Sequence, residues 1–285
     1  MGEAQAAAAM TLLVGLDGSG AAGRALRWAI GLCRPPGRAQ LVVATVYVAD
    51  PADNLGWDDA HDHARAKLEL WCQPAREAGL TYRAVVLDGA CGPALVEAAE
   101  EHGADLTVVS RRGTGSLDAL VAGSTADHLA HHARHPLAVV PPGGAPSPPA
   151  HILVALDGSA DSEAAARWAA RLAHRTPARV TAAFVAEPPE VVGRLSAGER
   201  AAAEQVLSTR WSIPLRQGGL APDCVVQESR HPGDALVELA HRTGAELIVA
   251  GTRALGRLRP IRLGGVTLQL LRHSDVPVVV VPPEP

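Results

Sequence analysis

The chain has 285 residues, enough for two domains of ordinary size, and at 47% hydrophobic and 20% charged it reads as globular. A net charge of −4 gives no basic field to recruit nucleic acid or an acidic membrane, and 3% aromatics are too few for the stacking platforms of single-strand binders. Four cysteines without a C-x-x-C pair fit a reducing cytoplasm better than a disulfide framework or a zinc site, and no apolar run approaches the length of a membrane span.

The opening M-G-E-A-Q-A-A-A-A-M lacks the positive start of a signal peptide and runs into an unbroken apolar stretch, Thr11–Leu16, read as a strand buried on both faces. Ala21–Cys33 follows as a helix with Ser19 as its cap, then Leu41–Val48 as a strand. A long charged helix is predicted over Asp58–Ala78, stopping at Gly79. Tyr82–Leu87 is a strand, Pro93–His102 a helix ended by Gly103, Leu106–Val109 a strand, Ser124–Ala133 a helix and Leu137–Val140 a strand.

The pattern then repeats. Residues 12–29 match 152–169 at an offset of 140, and 92–106 and 135–142 match 233–247 and 276–283 at an offset of 141. Two copies are therefore expected, residues 1–142 and 150–285, joined by a Pro/Gly/Ser linker over 143–149. Strand–helix alternation implies in each copy a five-stranded parallel sheet with helices on both faces, an α/β architecture. Such sheets bind ligands beyond the carboxyl ends of the strands, where the strand order reverses.

Between the fourth strand and the next helix, small residues recur at Ser110, Gly113, Gly115, Gly123 and Ser124. A backbone without Cβ atoms can approach an anion and point N–H groups at it, and a helix that starts at Gly123-Ser124 adds its positive end and a hydroxyl. The stretch reads as a phosphate cradle in two pieces or as a plain glycine-rich turn. It is neither a Walker A loop nor G-x-G-x-x-G. Asp17 and Asp157, in L-D-G-S at the ends of the first strands, are either ligand groups or turn-forming caps.

Other clusters have blander readings. His128, His131, His132 and His135 fall on one helical face, read as solvated, with Leu129, Ala130 and Ala133 opposite. His61 and His63 sit among Asp58, Asp59 and Asp62 at a spacing that points them to different sides of a helix, a poor metal site. Arg253, Arg257, Arg259 and Arg262 concentrate charge in the second copy's loop, for a ligand's phosphates, an acidic partner or solvent. Trp28 and Trp168 read as helix packing. The only lysine is Lys67, no G-x-S-x-G occurs and no general base other than Asp17 stands near the loop, so catalysis is not expected.

These residues resemble a tandem universal stress protein. Nucleotide-binding members of that family carry G-x2-G-x9-G-[S/T] after the fourth strand, an Asp ending the first strand and a Val in the second. The first copy reads Ser110-x2-Gly113-x9-Gly123-Ser124, with Asp17 and Val46; the second reads Gly251-x2-Ala254-x9-Gly264-Gly265, with Asp157 and Val185. The resemblance implies two Rossmann-like (HUP-type) domains and binding of ATP, with or without Mg, mainly by the first. Asp17 would meet the ribose or adenine end, and Val46 and the backbone at Gly15 and Leu16 would line the adenine slot. Ser110 and Gly113 would pass the ribose and first phosphates, and Gly123, Ser124 and Thr125 would hold the distal ones. Ser110 adds a Cβ that is costly if its φ is positive, and a hydroxyl that could reach the ribose. The resemblance further implies a stress-response regulator that pairs its two domains through their last strands and forms a homodimer, the protein partner being unknown. The alternative is a nucleotide-free scaffold acting through that pairing.

Overall fold

The computed structural model of the chain describes residues 9–34, 37, 39–47, 57–113, 123–144, 147–189, 193–252 and 264–283. The first half runs β1 (Met10–Gly15), α1 (Gly20–Leu32), β2 (Ala39–Tyr47), α2 (Trp57–Trp71), α3 (Gln73–Glu77), β3 (Tyr82–Asp88), α4 (Cys91–Glu101), β4 (Leu106–Ser110), α5 (Ser124–His132) and β5 (Leu137–Val140). The second runs β6 (His151–Ala155), α6 (Ala160–Arg175), β7 (Arg179–Ala186), α7 (Ala197–Val206), a short π-helix at Leu207–Trp211, α8 (Ile213–Gln217), β8 (Asp223–Glu228), α9 (Pro232–Thr243), β9 (Leu247–Gly251), α10 (Gly265–His273) and β10 (Val278–Val281).

The strands form one ten-stranded sheet in the order β3-β2-β1-β4-β5-β10-β9-β6-β7-β8. Within each half every pairing is parallel; the halves meet where β5 and β10 run antiparallel, Val139 opposite Val278 and Leu137 opposite Val280. The apolar last strands thus cover each other's edges inside one chain.

Alternation along β1 sorts the core. Leu12 and Val14 face α1 and Leu68 of α2, while Leu13 faces Leu95 of α4 and Leu129 of α5, all at 5% exposure or less. The α1-side layer runs through both halves, with Leu12, Val140, Ile152 and Val279 in one cluster, and both Trp28 and Trp168 lie in it. The linker also docks: Ser147 Oγ donates to the Trp28 carbonyl at 2.6 Å above Gly31, where a Cβ would collide with it.

One predicted helix and one predicted histidine face differ in the structure. The helix expected over 58–78 breaks between α2 and α3, because Pro74 has no N–H for the carbonyl four residues back. The predicted histidine face loses His135, since α5 ends at His132 and Ala133 turns extended ahead of Pro136. His135 instead turns inward, its Nε2 2.6 Å from Thr107 Oγ1 in β4.

His151 makes the matching contact in the second half, its Nε2 2.8 Å from Thr181 Oγ1. Burial pushes both imidazoles below the ordinary value of 6.5. Unfolding frees them to take up protons, so their contribution to stability is full above pH 6.5 and is lost as the pH falls toward their folded values. The slope is at most about 1.4 kcal/mol per pH unit for each histidine. Urea midpoints are expected to fall between about pH 7 and about pH 5, and the double variant His135→Asn/His151→Asn is expected to flatten that dependence.

Candidate functional site

In the first half the strand order reverses between β1 and β4, since β1 pairs β2 on one side and β4 on the other. The crevice beyond their carboxyl ends holds Asp17 after β1 and Ser110 at the end of β4.

Asp17 serves the turn and also faces the loop. Its Oδ1 accepts the Ser19 N–H at 2.9 Å, and Ser19 Oγ in turn accepts the Ala22 N–H at 3.1 Å to cap α1. The intervening Gly18 takes φ +79°, a conformation that favours glycine. Oδ2 lies against Gly113, where any Cβ would collide with it. The turn and ligand readings of Asp17 are therefore compatible.

The two pieces of the glycine motif are laced together through Arg111. Its N–H donates to the Val140 carbonyl and its own carbonyl accepts the Gly123 N–H, both at 2.8 Å. A Cβ at Gly123 would come within 3.3 Å of that carbonyl. Gly123 then opens α5 with no side-chain cap, so the first amides of the helix, from Ser124 and Thr125 onward, are not satisfied by a capping side chain. Ser124 is exposed at the tip. Arg111 also reaches the other half, its guanidinium donating to the Ser274 carbonyl at 2.6 Å. Burial, then neighbouring Arg112, lowers its pKa.

Among the described residues no non-glycine has a positive φ, so Ser110 carries its Cβ without the strain a positive φ would bring. Its hydroxyl donates to the Arg112 carbonyl at 2.6 Å. At Gly15 the space for a side chain is taken by Leu95 and Val109, so glycine there answers to core packing. Leu16 is buried, its N–H donating to the Ala44 carbonyl at 2.8 Å. Val46 is half-buried near the end of β2, opposite Leu87.

Sequence reasoning missed two neighbours. His61 lies beside Tyr47, with ring centroids 5.5 Å apart, and its Nε2 meets Asp88 Oδ1 at 2.7 Å. It pairs across α2 and β3, and among the described residues no His/Cys/Asp/Glu group is arranged to hold a metal. Trp71 stands where a Cβ on Gly18 would strike it, and Trp211 stands against Gly158 in the same way. The repeat offset equates these tryptophans, a signal that was available. Trp71, Leu16, Ser19, Arg27, Leu70 and Pro74 help line a cavity of about 420 Å³ between α1, α2 and α3, on the α1 side of the Asp17 turn.

The second half holds the corresponding set at the ends of β6 and β9. Asp157 Oδ1 accepts from the Ser159 N–H at 3.0 Å and from its hydroxyl at 2.6 Å. Val185 is half-buried opposite Gln227. Gly251 is buried at the end of β9, and Gly264 donates its N–H to the Thr252 carbonyl at 2.8 Å before Gly265 opens α10, again without a side-chain cap. Ala254, Arg253, Arg257, Arg259, Arg262 and, in the first half, Gly115 lie outside the described residues.

Known proteins bear on this geometry. The sequence model of the universal stress protein family matches twice, over residues 9–141 and 150–282. A universal stress protein of Mycolicibacterium smegmatis is 28% identical over 308 residues, covering 98% of this chain and 99% of its own. One from Mycobacterium tuberculosis is 28% identical over 291 residues, covering 94% and 95%. A solved universal stress protein from Archaeoglobus fulgidus superposes with a TM-score of 0.73 at 18% identity, over 96% of this chain and 98% of that one, so the fold is shared.

Proposed function

The chain belongs to the universal stress protein family, and from that premise we propose that its amino-terminal half binds an adenine nucleotide, ATP, as a cytoplasmic stress-response regulator. The observation that carries this reading is the crevice at the β1/β4 switch point. There the uncapped start of α5 is laced to the end of β4, and Asp17 faces Gly113. In this reading the amides from Gly123 to Thr125 and the Ser124 hydroxyl receive the distal phosphates, with or without Mg. Gly113 lets the main chain near Ser110 approach the ribose and first phosphates. Asp17 accepts from the ribose or adenine end, and the adenine lies between Val46 and the backbone at Gly15 and Leu16. Asp157, Val185, Gly251, Gly264 and Gly265 form a weaker counterpart, lacking the hydroxyl of Ser124.

The binding is regulatory in this proposal, and any hydrolysis of ATP is slow. A second reading, a nucleotide-free scaffold, is favoured by one observation, the antiparallel β5–β10 pairing that ties the halves together. A homodimer of chains would then use another surface, because these two strands already cover each other. Calorimetric titration of the full chain with ATP, and chromatography of any nucleotide released on denaturation, separates the two. Saturable heat with ATP supports the nucleotide reading. Absence of heat and of released nucleotide leaves the scaffold, whose assembly is read from the mass in solution.

A further inference from the structure

We propose that the second half is closed to triphosphates by its own side chains, and that Asp161 is the residue that excludes them. This rests on reading the first half as the nucleotide site. Asp161, the second residue of α6, accepts a hydrogen bond on Oδ2 from Thr252 Oγ1 at 2.5 Å. The crossing of helix and strand is equally tight in the main chain. A Cβ on Gly251 would lie 2.6 Å from the Asp161 carbonyl carbon and 2.8 Å from its Cβ. On the other face of the sheet, Thr267 of α10 donates its hydroxyl to the Gly251 carbonyl at 2.9 Å. The end of β9 is thus stapled to α6 on one side and to α10 on the other, with Thr252 and Thr267 at 7% and 4% exposure.

The first half has neither staple. The repeat offsets place Ala21 opposite Asp161, Ala126 opposite Thr267 and Arg111 opposite Thr252. The alanines have no side-chain donor or acceptor, and Arg111 bonds across to Ser274. Within the first turn of the first helix, charge differs in the same direction. The first turn of α1 carries no acidic residue, whereas that of α6 carries Asp161 and Glu163. Asp161 fixes its carboxylate beside Thr252, whose carbonyl holds the Gly264 amide at the start of α10. A polyanion entering there meets a fixed negative charge next to the main chain meant to receive it. The same carboxylate already answers the positive end of α6.

The test uses the full chain. ATP titration gives the stoichiometry, and labelling with 8-azido-ATP followed by peptide mapping assigns each event to a half. Wild type is expected to bind one equivalent, labelled in the first half. Asp161→Ala is expected to add a second, labelled in the second half, with that half's affinity raised about tenfold or more. Asp161→Asn, which keeps a hydrogen-bonding side chain of the same shape, repeats the measurement without a risk to folding. A second event in either variant supports the proposal. Two equivalents in wild type, or one in both variants, overturns it while leaving the first-half reading intact. No binding by any of the three proteins removes the first-half reading, and this proposal with it.

Discussion

Replacing Val279 by aspartate is expected to cost more than about 4 kcal/mol, the range reserved for unpaired charges forced into a core. Val279 sits in the central strand pair, opposite Ala138 of β5 and Val249 of β9, and all three are fully buried. A carboxylate there is flanked by alanine and valine in both neighbouring strands. The cost is comparable to the whole stability of an ordinary domain, about 5–15 kcal/mol, so the variant is expected to be largely unfolded or opened at the β5–β10 seam. Leu70→Asp is the control. Leu70 is 69% exposed, and the change is expected to move stability by about 0.5 kcal/mol or less. Urea titrations followed by circular dichroism, with size-exclusion chromatography, measure both. Because the α1-side core runs through both halves, a single shifted transition is the expected form. Two transitions, with that of the first half unmoved, would show that the seam carries no shared stability.

Local patterns made each half legible. The apolar run of β1 and the Ser19 cap follow from residue types and their order, and the repeat supplied each assignment twice, while the pairing of the last strands was implied by the family resemblance. Pro74 also carried its signal in the sequence. The helical periodicity around it continues through the proline, and pattern outweighed the missing N–H. The contacts that decide the site are of another kind. Thr252 and Asp161 are 91 residues apart, and Arg111 and Ser274 are 163 apart. No spacing rule reaches across such separations, because they depend on which helix face the sheet twist brings to which strand end. Asp17 shows the limit most clearly. As a turn former and as a ligand group it needs the same sequence, and only the position of Gly113 against its second oxygen shows that one carboxylate serves the turn while facing the loop.

That same contact makes Gly113→Val the sharpest probe of the proposed nucleotide site. Gly113 is exposed and its φ is not in the left-handed region, so valine requires no change of backbone. The first carbon of its side chain, however, falls on Asp17 Oδ2. Asp17 cannot swing aside without loosening the bond from Oδ1 to the Ser19 N–H, so the added side chain both displaces the carboxylate and fills the approach to the main chain. ATP affinity is expected to fall by about 100-fold, near 2.7 kcal/mol, with stability lowered by about 1 kcal/mol, the worth of the one loosened turn bond. Gly143→Val, at another exposed glycine with open space around it, is expected to change neither. The double variant Gly113→Val/Asp17→Ala sorts the two effects. If the valine acts mainly by moving Asp17, removing the carboxylate adds little further loss, and the coupling in the cycle is large. If Gly113→Val binds ATP as wild type does, no ligand passes the main chain at this point, and the crevice between β1 and β4 is not the phosphate cradle.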